Sequence, residues 1–306
     1  MSSDIRRGSF LVILAALLWS TGGLFIKSVS IDGYGVSLWR SSFAALTLYA
    51  VYRREYRSQL VAHRSLWLSG RTLVMGLVYA GLLILFVLAT KHTTSANAIF
   101  LQYTAPIYVL FFEPIISKTK LKRTDILSVT ITVAAMALFF VGKFDTSSVL
   151  GNVLALASGV FFAAYALLLK HEQTDEAMRW QSVIVGHGII VALSAIMWAT
   201  GNSNPTPQSA TEVAELAFLG IFQIGLAYTL FTKGIHYIRA LDALLLSMLE
   251  PVLNPVWVYF GIGETPTIYA IVGGLVILSV SAYRTWSESA AAQDLDNVVG
   301  TAGDRG

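Results

Sequence analysis

Apolar stretches of about twenty residues, separated by short polar segments, recur along the whole chain. A helix of this length crosses the ~30 Å of hydrocarbon in a bilayer. The alternating ten-residue segments typical of a membrane β-barrel do not occur. We therefore predict an all-α membrane protein with ten transmembrane helices at residues 8–29, 34–52, 70–89, 94–114, 125–142, 149–170, 181–200, 213–234, 240–260 and 267–285.

The chain contains one sequence unit twice. The segment GSFLVILAALLWSTGGLFIKSV at 8–29 aligns with GNVLALASGVFFAAYALLLKHE at 151–172. The aligned pairs are Gly8 with Gly151, Leu11 with Leu154, Trp19 with Phe162, and Lys27 with Lys170.

This repetition predicts the domain organisation. Five helices fall in each half, and an odd number of crossings turns the second copy upside down in the membrane. We predict a first five-helix repeat at 8–142, a second and inverted repeat at 149–285, and a disordered cytoplasmic tail at 286–306. Inverted repeats are the construction of many secondary transporters, which bind substrate at the repeat interface near the midplane.

Composition and charge agree with a multi-pass membrane protein. The 306 residues are 55% hydrophobic and 13% charged, about half the charged fraction of a soluble domain. Of the 21 Lys and Arg, three (Lys27, Lys91 and Lys143) fall on the side opposite the amino terminus, and Arg40 falls within a span. By the positive-inside rule, both termini are predicted to be cytoplasmic.

Several classes of function are not supported by the sequence. The chain has no cysteine, which excludes disulfides and thiolate metal sites. We find no catalytic motif, no P-loop and no metal-ligand spacing, and we expect no enzyme activity, cofactor or metal. The net charge of +3 comes from Lys and Arg residues concentrated on the predicted cytoplasmic side, as in membrane proteins. No nucleic-acid partner is therefore expected.

Trp19 alone among the seven tryptophans lies near the middle of a predicted span. A mid-membrane indole needs a partner for its N–H or a polar cavity to face, although core packing explains it equally well. Other aromatic and polar residues fall at similar depth on spans 3, 4, 6, 8 and 9. The predicted substrate-binding residues are Trp19, Tyr79, Gln102, Tyr103, Phe162, Tyr165, Tyr228, Ser247 and Met248.

Prolines and one acidic residue mark two of these spans. Pro106, Pro251 and Pro255 are predicted helix breaks, because proline frees a backbone carbonyl that must face protein or a watery cavity; packing kinks are the alternative. Glu250 lies near the midplane, where a carboxyl group is a functional candidate. It could bind a substrate ammonium, couple transport to a proton, or sit protonated against freed backbone.

Arg40 and Glu113 lie nearer the ends of their predicted spans. Their side chains are long enough to reach water from there, and we expect them to do so. His187 has no metal-spaced neighbour and is expected to be a packing residue.

These features together resemble a known family. Ten spans in a five-plus-five repeat, LWST at 18–21, and EPVLNPVWVYFGIGE at 250–264 resemble the EamA-type drug/metabolite transporter superfamily. Within it, LWST, FFAAYALLLK at 161–170 and GLAYTLF at 225–231 are most similar to the YddG-like amino-acid exporters. Ala105 stands where a tryptophan is expected before Pro106, which implies a wider pocket.

The resemblance implies an exporter in a bacterial inner membrane. It would export aromatic and other amino acids with broad specificity. Transport would proceed by alternating access through a central cavity. The expected partners are the small-molecule substrate and the lipid bilayer, with no obligate protein partner. The alternatives are export of drug cations or other metabolites on the same fold, a channel, and an intramembrane enzyme.

Overall fold

The computed structural model describes residues 2–57, 67–116, 118, 120–138, 148–171, 173–262 and 268–303. Within these ranges the regular structure is helical and contains no strand. The helices are α1 (Ser2–Trp19), α2 (Gly22–Ser28), α3 (Gly33–Glu55), α4 (Gly70–His92), α5 (Ser95–Gln102), α6 (Ala105–Ile116), α7 (Arg123–Leu138), α8 (Val149–Lys170), α9 (Glu176–Ala199), α10 (Ala210–Phe218), a π-helical segment (Leu219–Leu226), α11 (Ala227–Gly234), α12 (Ala240–Ser247), α13 (Leu249–Ile262) and α14 (Ile268–Gly303).

Short polar side chains begin many of these helices. An N-cap oxygen accepts a hydrogen bond from a backbone N–H that the first turn leaves without a partner. Asp32 does this for α3, Ser69 for α4, Thr94 for α5, Asp175 for α9 and Ser209 for α10. These capping residues mark where each helix begins, at the end of the preceding loop and before its apolar stretch.

Among the residues that the structure describes, six helical stretches are long and apolar enough to cross a membrane. This confirms an all-helical membrane protein; the count of ten spans and the inversion of the second half remain predictions. The six stretches are Ser3–Ser28, Gly70–His92, Ser95–Ile116, Val149–Lys170, Glu176–Ala199 and Ala210–Gly234.

Three long stretches are interrupted near their middle. α1 ends at Trp19 and α2 begins at Gly22, and the hydroxyls of Ser20 and Thr21 donate to the carbonyls of Leu17 and Leu18 at 2.7 and 2.8 Å. The breaks between α5 and α6 and between α12 and α13 come just before Pro106 and Pro251. α13 continues through Pro255 without a break.

The interrupted helices pack closely through glycines. A Cβ on Gly159 of α8 would lie 2.6 Å from the carbonyl oxygen of Gln102, where α5 ends. A Cβ on Gly220, in the π-helical segment, would lie 2.4 Å from Cβ of Phe43 on α3. Small residues let membrane helices approach this closely, and both contacts bring an interrupted helix against the centre of the molecule.

The structure differs from the sequence prediction in two places. Residues 286–303 continue α14 as helix, because the alanines at 290–292 favour helix over coil. Arg40 and Glu113 do not reach water, since they are 3% and 4% exposed. Gly263 and Glu264, part of the motif at 250–264, lie outside the described residues.

Candidate functional site

A small cavity lies where the interrupted helices meet. Its volume is about 30 Å³, room for about two water molecules. Both halves of the chain contribute to its wall. The lining residues are Trp19, Arg40, Leu82, Leu83, Phe86, Gln102, Phe162, Gln223, Ile224, Tyr228 and Glu250.

One side of the cavity is aromatic. The rings of Trp19 and Phe162, which the sequence alignment pairs, lie 6.2 Å apart and edge to face. Trp19 also packs against Tyr228 at 4.9 Å and Phe231 at 5.0 Å. Such clusters hold their geometry and offer broad apolar faces. The Nε1–H of Trp19 is buried without a hydrogen-bond partner.

Glu250 is held from behind by a tyrosine. The hydroxyl oxygen of Tyr103 lies 2.8 Å from both Oε2 of Glu250 and the carbonyl oxygen of Ser247, and its single proton is shared between these two acceptors. That carbonyl needs an outside donor because Pro251, four residues on, has no N–H. The proline therefore ties the α12–α13 break to the α5–α6 break, and Glu250, 5% exposed, faces the cavity from this joint.

Gln102 lines the same cavity and is anchored on its other side. Its Nε2 donates to Oγ of Ser158 at 2.7 Å, and that hydroxyl donates to the carbonyl of Leu82 at 2.8 Å. Pro106 leaves the carbonyl of Gln102 without its helical donor, and Gly159 lies against that carbonyl. A bulkier residue at 159 would clash with the carbonyl oxygen of Gln102.

Arg40 enters the cavity from α3. Its Nε and Nη1 are buried without a hydrogen-bond partner. The backbone carbonyl of Arg40 packs against Gly220 in the π-helical segment, where a Cβ would lie 2.6 Å away. The same segment contributes Gln223, whose Nε2 donates to the carbonyl of Trp19 at 3.3 Å while its Oε1 has no partner. π-helical turns frequently occur at functional sites.

Five of the residues predicted to bind substrate lie next to the cavity but outside its wall: Tyr103, described above, and four more. Tyr79 packs at 4.7 Å against Tyr228, and its hydroxyl lies 3.0 Å from Nε2 of His187. Tyr165 lies 5.0 Å from Tyr79 and 3.2 Å from the hydroxyl of Ser182. The other two, Ser247 and Met248, are also fully buried, and the Ser247 hydroxyl bonds within its own helix.

Sequence reasoning missed much of the wall. Arg40 was assigned to the water interface because its distance from the span end suggested a snorkelling side chain. Burial of Trp180, at 1% exposure, likewise shows that position near a span end does not decide orientation. A charged residue within an apolar stretch was the available signal for Arg40. The other lining residues outside the predicted set are Leu82, Leu83, Phe86, Gln223 and Ile224.

Comparison with known proteins identifies the family. The model of the EamA-like transporter family matches residues 6–141 and again 149–283. The chain belongs to this family. The two matched segments cover nearly the same ranges as the predicted repeats, and the family resemblance seen in the sequence is confirmed.

Relatives of this EamA-like transporter come from distant organisms. An uncharacterised transporter of Archaeoglobus fulgidus is 23% identical and aligns over 90% of this chain and 95% of its own length. The uncharacterised transporter YwfM of Bacillus subtilis is 24% identical over 92% and 97%. Human solute carrier family 35 member G1 is 22% identical over 92% and 80%.

A solved crystal structure shares the fold. It superposes with a TM-score of 0.72 at 18% identity, covering 91% of this chain and 96% of the matched chain. The chain is therefore a multi-pass membrane transporter of the EamA-like family, and these comparisons do not single out its substrate.

Proposed function

We propose that this transporter exports amino acids by alternating access, with the central cavity as the substrate site. The observation that carries the proposal is the make-up of the cavity wall. Aromatic rings, a guanidinium and a carboxyl group face one small space. An amino acid offers the matching features: a side chain, a carboxylate and an ammonium.

The aromatic side supports broad specificity. Trp19, Phe162 and Tyr228 bind by apolar area, which makes little geometric demand on a side chain. The free space in the cavity is small, about 30 Å³. In an alternating-access cycle, the walls part further to admit the substrate.

Packing supports the further proposal that ten spans form two inverted repeats, 8–142 and 149–285. The counterpart helices of the two halves meet in pairs, α3 with α9 and α7 with α14. Two further contacts are reciprocal, since α8 lies on α4 and α1 lies on α11. A two-fold relation between the halves accounts for this pattern, and five spans per half make that relation an inversion.

A drug cation is the competing substrate, favoured by Glu250 among aromatic faces. Arg40 in the same wall opposes it, because an arginine is always protonated and repels a cation in a space of this size.

Counterflow in proteoliposomes tests the proposal. Vesicles preloaded with unlabelled leucine or phenylalanine should accumulate the labelled amino acid faster than protein-free vesicles, and preloaded ethidium should not drive uptake. Uptake of ethidium without any amino-acid counterflow would assign the cavity to drug cations instead.

We also propose a bacterial inner membrane as its location, with both termini in the cytoplasm. The resemblance to the YddG-like exporters supports the location, and the distribution of Lys and Arg in the sequence supports the orientation. Reporter fusions at residues 203–209 should report the outside, and fusions at the carboxyl terminus the cytoplasm. A periplasmic signal at the carboxyl terminus would reverse this orientation.

A further inference from the structure

Arg40 is a charged group without a counter-charge in hydrogen-bond contact. It is 3% exposed, and two of its three guanidinium nitrogens have no partner. Burying an unpaired charge is unfavourable, because the charge loses its hydration without gaining a partner. A buried cation without a protein partner, in the wall of a cavity, is suited to bind an anionic group reversibly.

Glu250 in the same wall provides a group for the opposite charge, a cation. Tyr103 holds Oε2 of Glu250, and this fixes the carboxyl group while leaving Oε1 free for a ligand. The cavity thus presents donors at Arg40 and an acceptor at Glu250, one from each half of the chain.

We infer that Arg40 binds the substrate's carboxylate while Glu250 binds its ammonium, so that the site selects zwitterions. This inference rests on the proposed function. The substrate side chain then lies against the ring of Trp19, whose free Nε1–H and the free Oε1 of Gln223 are available to a polar side chain.

Charge balance explains the selection. A zwitterion brings one charge of each sign to one group of each sign, and every charged group gains a partner. A ligand lacking its carboxylate leaves Arg40 unpaired, and a ligand lacking its ammonium leaves Glu250 unpaired. Sites built around buried polar groups reject such analogues strongly, because a buried group then has no partner.

The backbone places Arg40 at this position. Gly220 lets the π-helical segment lie directly on the carbonyl of Arg40, and this contact sets the depth of α3 relative to Gln223.

The test measures binding of three ligands to the purified full-length protein by ligand-induced thermal shift. They are L-phenylalanine, its amide (no carboxylate) and N-acetyl-L-phenylalanine (no ammonium). For the unmodified protein, both analogues should bind at least about tenfold more weakly than phenylalanine. In Arg40→Gln, the penalty for the amide should disappear and that for the N-acetyl compound should remain; Glu250→Gln should do the reverse.

Two controls separate the possible failures. Arg53→Gln removes an exposed arginine from the same helix and should leave all three affinities unchanged. Arg40→Lys keeps the charge and should retain the preference for phenylalanine over its amide.

The outcomes distinguish the inference from the function. Equal binding of phenylalanine and its amide by the unmodified protein overturns the role of Arg40, whether or not the variants fold. An Arg40→Gln protein that weakens all three ligands by the same factor overturns it as well. Absence of amino-acid binding and counterflow in the unmodified protein instead removes the proposed function.

Discussion

Lys27 and Lys170 make the same hydrogen bond in the two halves of the chain. Lys27 Nζ donates to the carbonyl of Thr93 at 2.8 Å, and Lys170 Nζ donates to the carbonyl of His236 at 3.1 Å, in each case 66 residues further along. Each bond ties the end of a helix to the loop before an interrupted helix.

We expect these two bonds to hold opposite entrances closed. If the halves are inverted, Lys27 lies on the outer side and Lys170 on the cytoplasmic side. Replacing either lysine by Met removes a hydrogen bond worth about 0.5–1.5 kcal/mol, which shifts the balance of open and closed states roughly two- to twelvefold. Lys27→Met should open the cavity outward and Lys170→Met inward.

The absence of cysteine makes this measurable. Leu83→Cys places a single thiol in the cavity wall, and an impermeant maleimide reports access from one side at a time. Lys120→Met, an exposed lysine, is the control. If both variants increase labelling from the same side, the lysines do not hold opposite entrances.

The aromatic wall predicts a size-dependent defect. Trp19→Ala or Phe162→Ala should weaken phenylalanine by about tenfold or more, because the lost apolar contact is worth about 1.5–3 kcal/mol. Alanine as substrate should be affected much less. Trp198→Ala, at a side chain 56% exposed, should change neither. Equal loss for both substrates, with lower membrane abundance, would make these rings packing residues.

The sequence predicts some parts of this molecule better than others. The helix content follows from the lengths of the apolar stretches, which is a local signal. The family and the pairing of Trp19 with Phe162 follow from the internal repeat. The break at Ser20–Thr21 has no proline, and the π-helical segment has no sequence signature. The position of Arg40 depends on how α3 packs on that segment, which is a tertiary contact, so spacing from the span end pointed the wrong way.

Tyr103→Phe tests how Glu250 is held. The change removes the hydroxyl that bonds Oε2 of Glu250 and the carbonyl of Ser247, while keeping the ring against Phe162. We expect amino-acid affinity to fall about threefold to thirtyfold, because the carboxyl group loses its fixed position. Tyr108→Phe, a half-buried tyrosine of α6, is the control. Unchanged binding in Tyr103→Phe would separate Glu250 from substrate recognition.

Two glycines give a matched pair for stability. Gly220→Ala introduces a Cβ 2.4 Å from Phe43 and should destabilise the protein by about 1–3 kcal/mol, as overpacking does. Gly188 in α9 has open space around it, and Gly188→Ala should stabilise by up to about 1 kcal/mol through helix propensity. Apparent Tm in detergent checks both, and a lower Tm for Gly188→Ala would contradict this reading of the two sites.

We expect the stability of the protein to depend on pH through Asp32, which caps α3 outside the membrane. Partial burial raises the pKa of Asp32, but hydrogen bonds from Gly35, Asn204, Ser203 and Tyr34 outweigh it, so the net pKa lies below its ordinary value. Stability from this carboxylate is therefore present above the ordinary pKa and is lost as pH falls through the lowered one.

The experiment compares the unmodified protein with Asp32→Asn. Their apparent Tm values should differ at pH 7, by an amount corresponding to about 1 kcal/mol or less since Asn remains a good cap. They should converge as pH falls below 4, where the unmodified side chain becomes protonated. A difference that stays constant across this range would show that the charge of Asp32 is not involved.

The origin of Arg40 and Glu250 in different halves makes the proposed site asymmetric. Extending the alignment of Gly8 with Gly151 puts Val183 opposite Arg40, and aligning Pro106 with Pro251 puts Ala105 opposite Glu250. A symmetric dimer of two first halves would hold two arginines and no acid, and a dimer of two second halves would hold the reverse. On the proposed site, neither symmetric assembly would balance both charges of a zwitterion, whereas one chain with two unlike halves presents a group of each sign.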